Sequence, residues 1–425
     1  MRPSPENGAV PDGWQLVRLG DVAEIVMGQS PPGATVFDWN GDSTVSRGLP
    51  FIQGNAEFGP NSPKPLKWCA QPAKVARVDD ILISVRAPVG ETNRANTKIG
   101  IGRGLAAIRF AVADARAFGW HALNHAKNAL EAVTQGSTFK AIGGQDLRSL
   151  PILLPPPPEQ QAIATVLDSI DEAIERTEAV IATTEQLRDS LLHELLTHGV
   201  PGWHTDWKDA LGVGAIPACW EVVRLGEGVS HVGSGVTPKG GKSVYTASGI
   251  PFLRSQNIHF DGLSLEDVVF IPSEIDDSMH RSRVQPGDVL LNITGASIGR
   301  CTIAPIDLGP ANVNQHVCII RTTEEFNPRF VWKWLSTPRS QREIDEIQTG
   351  QSRQGLNYQQ VRQLTIARPP RTEQDSIVEM LNGLDATLEA MRQERDRLRS
   401  LQESTADALL TGRVRVPIGK VRTNA

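Results

Sequence analysis

Four cysteines in 425 residues, Cys69, Cys219, Cys301 and Cys318, stand far apart and form no CxxC pair. That spacing excludes a disulfide framework and argues against a zinc site. No run of apolar residues is long enough to span a bilayer, and the opening MRPSPENGAVPDGW lacks an export signal's apolar stretch. A cytoplasmic protein without a membrane role is expected. Catalytic signatures are missing as well. GGKS at Gly240–Ser243 ends like a phosphate-binding loop, but that loop's first glycine would fall at Val236. GIGRG at Gly100–Gly104 lacks a dinucleotide context and reads as a turn. There is no Asn/Asp-Pro-Pro-aromatic methyltransferase motif and no nuclease carboxylate pair followed by Glu-x-Lys. The histidines make no HExxH or CxxH cluster. No catalytic and no metal-ligating residues are therefore expected, which points to recognition or scaffolding.

The formal net charge of −5 argues against an indiscriminate nucleic-acid binder. The charge is unevenly placed, however: residues 155–200 carry nine acidic against two basic side chains, and residues 1–154 carry 13 against 16.

What the chain does have is one long helical pattern, twice. Pro155–Gly199 opens on four prolines and continues as EQQAIATVLDSIDEAIERTEAVIATTEQLRDSLLHELLTHG. Proline is tolerated only in a helix's first turn, so Pro158 marks a start, Glu159 suits the positive end of the helix dipole, and Gly199 is a stop. Ile163, Leu167, Ile170, Ile174 and Ile181 fall at coiled-coil spacing, with Thr177 at the skipped position. Val180, Thr184, Leu187, Leu191 and Leu195 continue on a rotated stripe. A helix of this length reaches ~60 Å. Aligned without a gap, Pro369 lies on Pro155, Glu373 on Glu159, Gln374 on Gln160, Ile377 on Ile163, Leu381 on Leu167, Asp385 on Asp171 and Leu401 on Leu187. Two equally long stripes favour helices that pack on each other.

The repeat extends into the intervening segments. WQLVRLGDVAEIVMGQSP from Trp14 matches WEVVRLGEGVSHVGSGVTP from Trp220. LPFIQGNAEF matches IPFLRSQNIHF, and DDILISVRAPVG matches GDVLLNITGASIG. These short alternating runs predict small strands and turns, and Phe118–Thr134 and Phe330–Thr349 predict helices. The expected fold is α+β: globular segments at residues 1–154 and 200–368, and long helices at 155–199 and 369–412 forming an antiparallel coiled coil. Residues 413–425 are a tail. A pseudo-two-fold would put one globular domain at each end of a two-helix strut and return the C-terminus toward the first domain.

Arg, Asn and Gln can pair bidentately with guanine or adenine edges, and Lys and Arg can hold phosphates. Candidate DNA-binding residues in the strand–loop segments are Gln53, Asn55, Arg86, Arg94, Lys98 and Arg103 in the first half. In the second they are Arg254, Gln256, Asn257, His259, Arg300, Asn312, Asn314 and Gln315.

PPPPEQQAIATVLDSIDEAI with ELLTHG, PPRTEQDSIVEMLNGLDATLEA with ALLTG, the two Trp-led openings and GDVLLNITGASIG together resemble the specificity (S) subunit of type I restriction–modification systems over nearly the full length. The resemblance implies two target-recognition domains, each reading half of a split asymmetric site in double-stranded DNA. It implies helices that dock two modification (M) subunits, which use S-adenosylmethionine, and restriction (R) subunits, with ATP and Mg²⁺ used by the partners and no cofactor in this chain. The first domain has Arg86-Ala87-Pro88 where the second has Thr294-Gly295-Ala296, so the halves are expected to read different bases. The competing reading is a coiled-coil adaptor without DNA recognition. A fused nuclease–methyltransferase is disfavoured by the missing motifs.

Overall fold

Matched runs of short strands build matched sheets. The structure, a computed structural model, describes residues 10–38, 48–127, 130, 141–210, 212–348 and 355–417. The chain divides into two compact units, Met1–Ala179 with Gln393–Ala425, and Val180–Arg392. The first unit contains an antiparallel sheet with strands in the order Ala23–Met27, Leu105–Phe110, Ile81–Ser84, Thr92–Arg94. A second sheet runs Val36–Asp38, Lys67–Cys69, Leu49–Ile52, Ile99–Ile101, Val75–Ala76. The second unit repeats the plan. Its sheets run Val229–Ser234, Val317–Thr322, Val289–Asn292, Cys301–Ile303, and Val269–Ile271, Ile250–Leu253, Ala311–Val313, Arg283–Val284. Each second sheet contains one parallel pair, with Ile52 opposite Ile101 and Leu253 opposite Val313. A buried aspartate clamps the same arginine in both units: Arg109 is bidentate to Asp80 at 2.9 and 2.6 Å, and Arg321 to Asp288 at 2.7 and 2.7 Å. Among the described residues no helix is long and apolar enough to cross a membrane.

The expected long helices form over Pro157–His198 and Arg371–Leu410. Gly199 (φ +77°) and Gly412 (φ +70°) follow them in the left-handed region where a Cβ is strained. In the first unit Asp171 meets Gln402 and Glu178 meets Arg399; in the second Glu185 meets Arg392 and Arg188 meets Asp385. Partner numbers fall as residue numbers rise, so the helical segments pack antiparallel within each unit. Ile163 and Leu167 share the first core with Leu409 and Leu410, while Leu195 and Leu196 share the second with Ile377, Val378 and Leu381. Of the predicted rotated stripe, Leu195 is buried and Leu191 packs against the second core, but Val180 and Leu187 do not face the seam. Those residues are 48% and 58% exposed, and Leu401 is 50% exposed. The seam passes over their neighbours Arg188 and Gln402, whose heads are held by Asp385 and Asp171.

Two other expectations change. The segment from Phe330 forms two helices, Pro328–Leu335 and Pro338–Gln348, because Pro338 has no N–H to continue the first. The Phe118 segment lies in a helix over Ala113–His125, and residues 128–129 and 131–134 of that expectation, like Thr349, lie outside the described residues.

The reason for the repeated Trp and Pro-Pro-x-x-Glu-Gln is visible at each helix start. Gln15–Arg18 pairs with Pro151–Leu154, and Glu221–Arg224 with Thr365–Arg368, which sets the preceding Trp beside the helix. Trp14 Nε1 donates to Glu159 at 3.0 Å and Trp220 Nε1 to Glu373 at 2.8 Å, all four side chains being buried. The following glutamine donates to a proline carbonyl, Gln160 to Pro155 at 2.7 Å and Gln374 to Pro369 at 2.9 Å. The second partner of each glutamate differs. Glu373 accepts from His204 at 2.6 Å, whereas Glu159 is gripped by Arg415 of the C-terminal segment at 2.5 and 2.7 Å.

The hydrogen bonds from Arg415, and then from Trp14, hold the Glu159 carboxyl below its ordinary value of 4.5. A depressed carboxylate contributes stability that is present above its unfolded pKa and lost as pH falls through its folded one. Arg415→Ala should therefore lower the melting temperature at pH 7, and the gap from wild type should close as the pH drops below about 4.5. Thermal melts across pH 3–7 check this; a pH-independent gap would mean that Arg415 acts by packing alone.

Candidate nucleic-acid interface

In the first unit, chain reversals at the ends of three strands come together. Gln53 and Asn55 follow Leu49–Ile52, Arg86 follows Ile81–Ser84, and Arg103 sits between Ile99–Ile101 and Leu105–Phe110. They line one open cleft of about 230 Å³ with Gly54, Ala87 and Gly104. Glycines make the close approach possible: a Cβ on Gly102 would lie 2.5 Å from Gln53 Oε1, and one on Gly104 2.6 Å from the Gln53 carbonyl. Glu57 caps the turn by accepting from Gly54 N at 3.2 Å, and Gln53 donates to Ser30 Oγ at 3.1 Å. Gln53, Arg86 and Arg103 are exposed. The cleft thus offers two guanidinium groups and two carboxamides, which suits base edges and phosphates.

The same backbone frame recurs in the second unit. Gly102 N bonds the Ile52 carbonyl and Asn314 N the Leu253 carbonyl; Val85 N bonds Gly104 and Ile293 N bonds His316. Gln53, Asn55, Arg86, Arg103 and Gly104 therefore correspond to Arg254, Gln256, Thr294, Gln315 and His316. Arg254 reaches the Asp267 carbonyl at 2.8 Å, Gln315 accepts from Thr237 at 2.6 Å, and His316 Nδ1 meets Thr294 Oγ1. Burial pushes the thiols of Cys301 and Cys318 up to about 12, which removes both as nucleophiles.

The family model for the type I restriction modification DNA specificity domain matches residues 11–186 and 217–400. The chain belongs to this family. It is a DNA specificity subunit of a type I restriction–modification enzyme, the non-catalytic component. The provisionally named MjaX type I restriction enzyme specificity subunit of Methanocaldococcus jannaschii is 41% identical over 195 residues, 45% of this chain and 44% of that relative. The MjaVIII specificity subunit of the same organism is 24% identical over 96% of this chain and 94% of its own. Among solved structures, the S subunit of a type I system from M. genitalium has a TM-score of 0.58 at 16% identity, covering 96% of this chain and 98% of that one. A chain from a study of assembly and conformational transition in the type I system also scores 0.58, at 18% identity over 96% and 100%.

Within this specificity subunit the fourteen sequence candidates separate by burial and partners. Gln53, Asn55, Arg86 and Arg103 meet in one cleft, and Arg254, Gln256 and Gln315 occupy its repeat in the second unit. Lys98 and Arg300 are exposed on other turns. Arg94 does not line the cleft; its guanidinium lies 4.5 Å from the Trp120 ring centroid and 3.7 Å from Asp168. Two asparagines are corrections. Asn257, 1% exposed, caps its own turn through Arg254 N and the Ser264 carbonyl, both at 2.9 Å. Asn312, 0% exposed, bonds Ser282, Asp276 and Val313 N. Their amides are committed to the fold. Asn314 accepts from His316 N at 3.0 Å, and His259 lies 2.9 Å from the Gln256 carbonyl. Sequence reasoning missed Thr294 and His316 as cleft residues. Thr294 was findable as the repeat counterpart of Arg86, whereas His316 needed the turn register.

Proposed function

We propose that each unit reads one half of a bipartite, asymmetric double-stranded DNA site, residues 1–154 and 200–368 being the two recognition domains. The observation that carries this reading is one backbone frame bearing two side-chain sets: Gln53, Asn55, Arg86 and Arg103 in the first, Arg254, Gln256, Thr294, Gln315 and His316 in the second. Equal frames with unequal hydrogen-bonding groups suit two unlike half-sites. Lys98 and Arg300 are assigned to phosphates, where a long exposed cation is sufficient.

The spacer helices, residues 155–199 and 369–412, dock two modification subunits. Val180, Leu187 and Leu401 support this, being apolar side chains left exposed on otherwise polar helix faces. Restriction subunits complete the enzyme, and S-adenosylmethionine, ATP and Mg²⁺ enter with the partners. The test is the complex with modification subunits on duplex carrying the full target and single-base variants of it. Arg86→Ala or Arg103→Ala should cost about 1–3 kcal/mol and relax one base position in one half-site. Lys98→Ala should weaken binding to all sequences alike and flatten the salt dependence. Unchanged affinity and unchanged base preference in both arginine variants would refute the cleft assignment.

A further inference from the structure

Beside the seam, the first unit holds a side-chain group that DNA reading does not use. His121, 6% exposed, projects from Ala113–His125 onto the first long helix. Its Nε2 lies 2.9 Å from Asp168 Oδ1 and its Nδ1 4.0 Å from Asp171 Oδ2. One ligand atom from each residue falls within 4.8 Å of the others. The two aspartates are three residues apart and so share a helix face. The Gln402 amide donates to Asp171 Oδ1, which fixes that carboxylate.

The internal repeat shows what the position contains elsewhere. Phe118, Trp120 and Leu123 correspond to Phe330, Trp332 and Leu335, which puts Lys333 in the place of His121. The gap-free helix alignment puts Asn382 at Asp168, Asp385 at Asp171 and Arg188 at Gln402. In the second unit Lys333 Nζ donates to Asp385 at 2.8 Å and Arg188 Nε at 2.6 Å, so two cations face one carboxylate. In the first unit two carboxylates face an imidazole and a neutral amide. Arg94 reaches Asp168 only at 3.7 Å and 46% exposed, so it screens the rim and does not fill the buried place that Lys333 takes in the repeat.

We propose that His121, Asp168 and Asp171 bind a divalent transition-metal ion, which takes the place that the Lys333 ammonium fills in the repeat. An imidazole nitrogen with two carboxylates is a ligand set for Zn²⁺, Co²⁺ or Ni²⁺. Metal–ligand bonds of ~2.1 Å put tetrahedral ligand atoms about 3.4 Å apart, and one imidazole nitrogen and one oxygen of each carboxylate already lie within 4.8 Å of one another. Small side-chain rotations close the set, and the remaining positions go to water. Gln402 acts from outside the ligand set by orienting Asp171. The ion joins Ala113–His125 to the first long helix, a structural role in the recognition unit.

The test uses the purified full chain after chelator treatment, titrated with Co²⁺ and then Zn²⁺. One equivalent of Co²⁺ should bind with visible d–d absorption and be displaced by Zn²⁺, and Zn²⁺ should raise the melting temperature of the first unit. Asp168→Asn, which copies Asn382 at a half-exposed position, should keep the fold and lose at least ~10-fold in Co²⁺ affinity. His121→Lys, which copies Lys333, should abolish the d–d bands and the response of the melt to Zn²⁺. No binding by the wild type, or equal binding by the wild type and Asp168→Asn, overturns the proposal; the second result would show an adventitious ion only.

Discussion

Replacing Glu373 by alanine should destabilise the second unit by about 3–5 kcal/mol, the largest stability loss expected from one side chain here. Glu373 is 2% exposed and accepts from three donors: Trp220 Nε1 at 2.8 Å, His204 Nε2 at 2.6 Å and Val200 N at 3.2 Å. Each donor left unpaired out of reach of water costs about 1–3 kcal/mol, and the three are lost together. The melting transition of that unit should fall on the order of 10 °C. Glu373→Gln, which keeps one acceptor for Trp220, should lie between. Gly199→Ala should act on the same network, since its Cβ would lie 2.7 Å from His204 Nε2 and closer still to Glu373, at a position with φ +77°. The repeat-related Glu159→Ala should cost less, because Arg415, 43% exposed in its side chain, can turn to water. Thermal denaturation of the four variants decides the matter. A Glu373→Ala protein within 1 kcal/mol of wild type, or a Glu159→Ala protein that is the weaker of the two, would show that these helix starts are not held by their glutamates.

The glutamates also show how far the sequence could be read. Pro155, Glu159 and Gln160 recur without a gap at Pro369, Glu373 and Gln374, so the duplicated α+β organisation and the paired helices were legible. The purpose of the motif was not, because its partners, Trp14 and Arg415 for Glu159, and His204 and Trp220 for Glu373, come from distant parts of the chain. Spacing alone also drew the apolar stripe through Leu187. Arg188 takes the seam position because Asp385 neutralises it there, and hydrophobic periodicity cannot register an ion pair. The candidate cleft was half legible. Arg86 and Arg103 stood out as cations in turns, but Asn257 and Asn312 look identical in sequence to base readers. Only their burial reveals that their amides serve the fold. The His121 group was invisible to spacing rules because its histidine and aspartates lie on separate helices.

Exchanging residues 15–150 for the same segment of a relative should change one half of the DNA target completely and leave the other half as it was. The four- and five-stranded sheets of the first unit use strands between Ala23 and Phe110, and the two four-stranded sheets of the second use strands between Val229 and Thr322, so none of these sheets draws strands from both segments. The cut points are favourable physically. Position 15 opens Gln15–Arg18 and position 150 precedes its partner Pro151–Leu154, so the junctions fall where pairing is made by backbone and tolerates new side chains. Trp14 and Glu159 stay with the recipient and keep the helix start intact. The donor must bring apolar side chains at Leu19, Phe118 and Leu147, because these pack in one core with Ile163, Leu167, Leu409 and Leu410 of the recipient's helices. It must also bring a residue at His121 compatible with Asp168 and Asp171. A donor with a polar side chain at Leu147 should fail to fold, and its failure would say nothing against the readers. With the core matched, methylated-base sequencing of cells carrying the exchange and the cognate modification subunits should show a hybrid site, the donor's half joined to the recipient's. If both halves changed, or if the recipient's first half survived the loss of Gln53, Asn55, Arg86 and Arg103, the reading of these units as independent readers would be wrong, and specificity would have to come from surfaces outside the cleft.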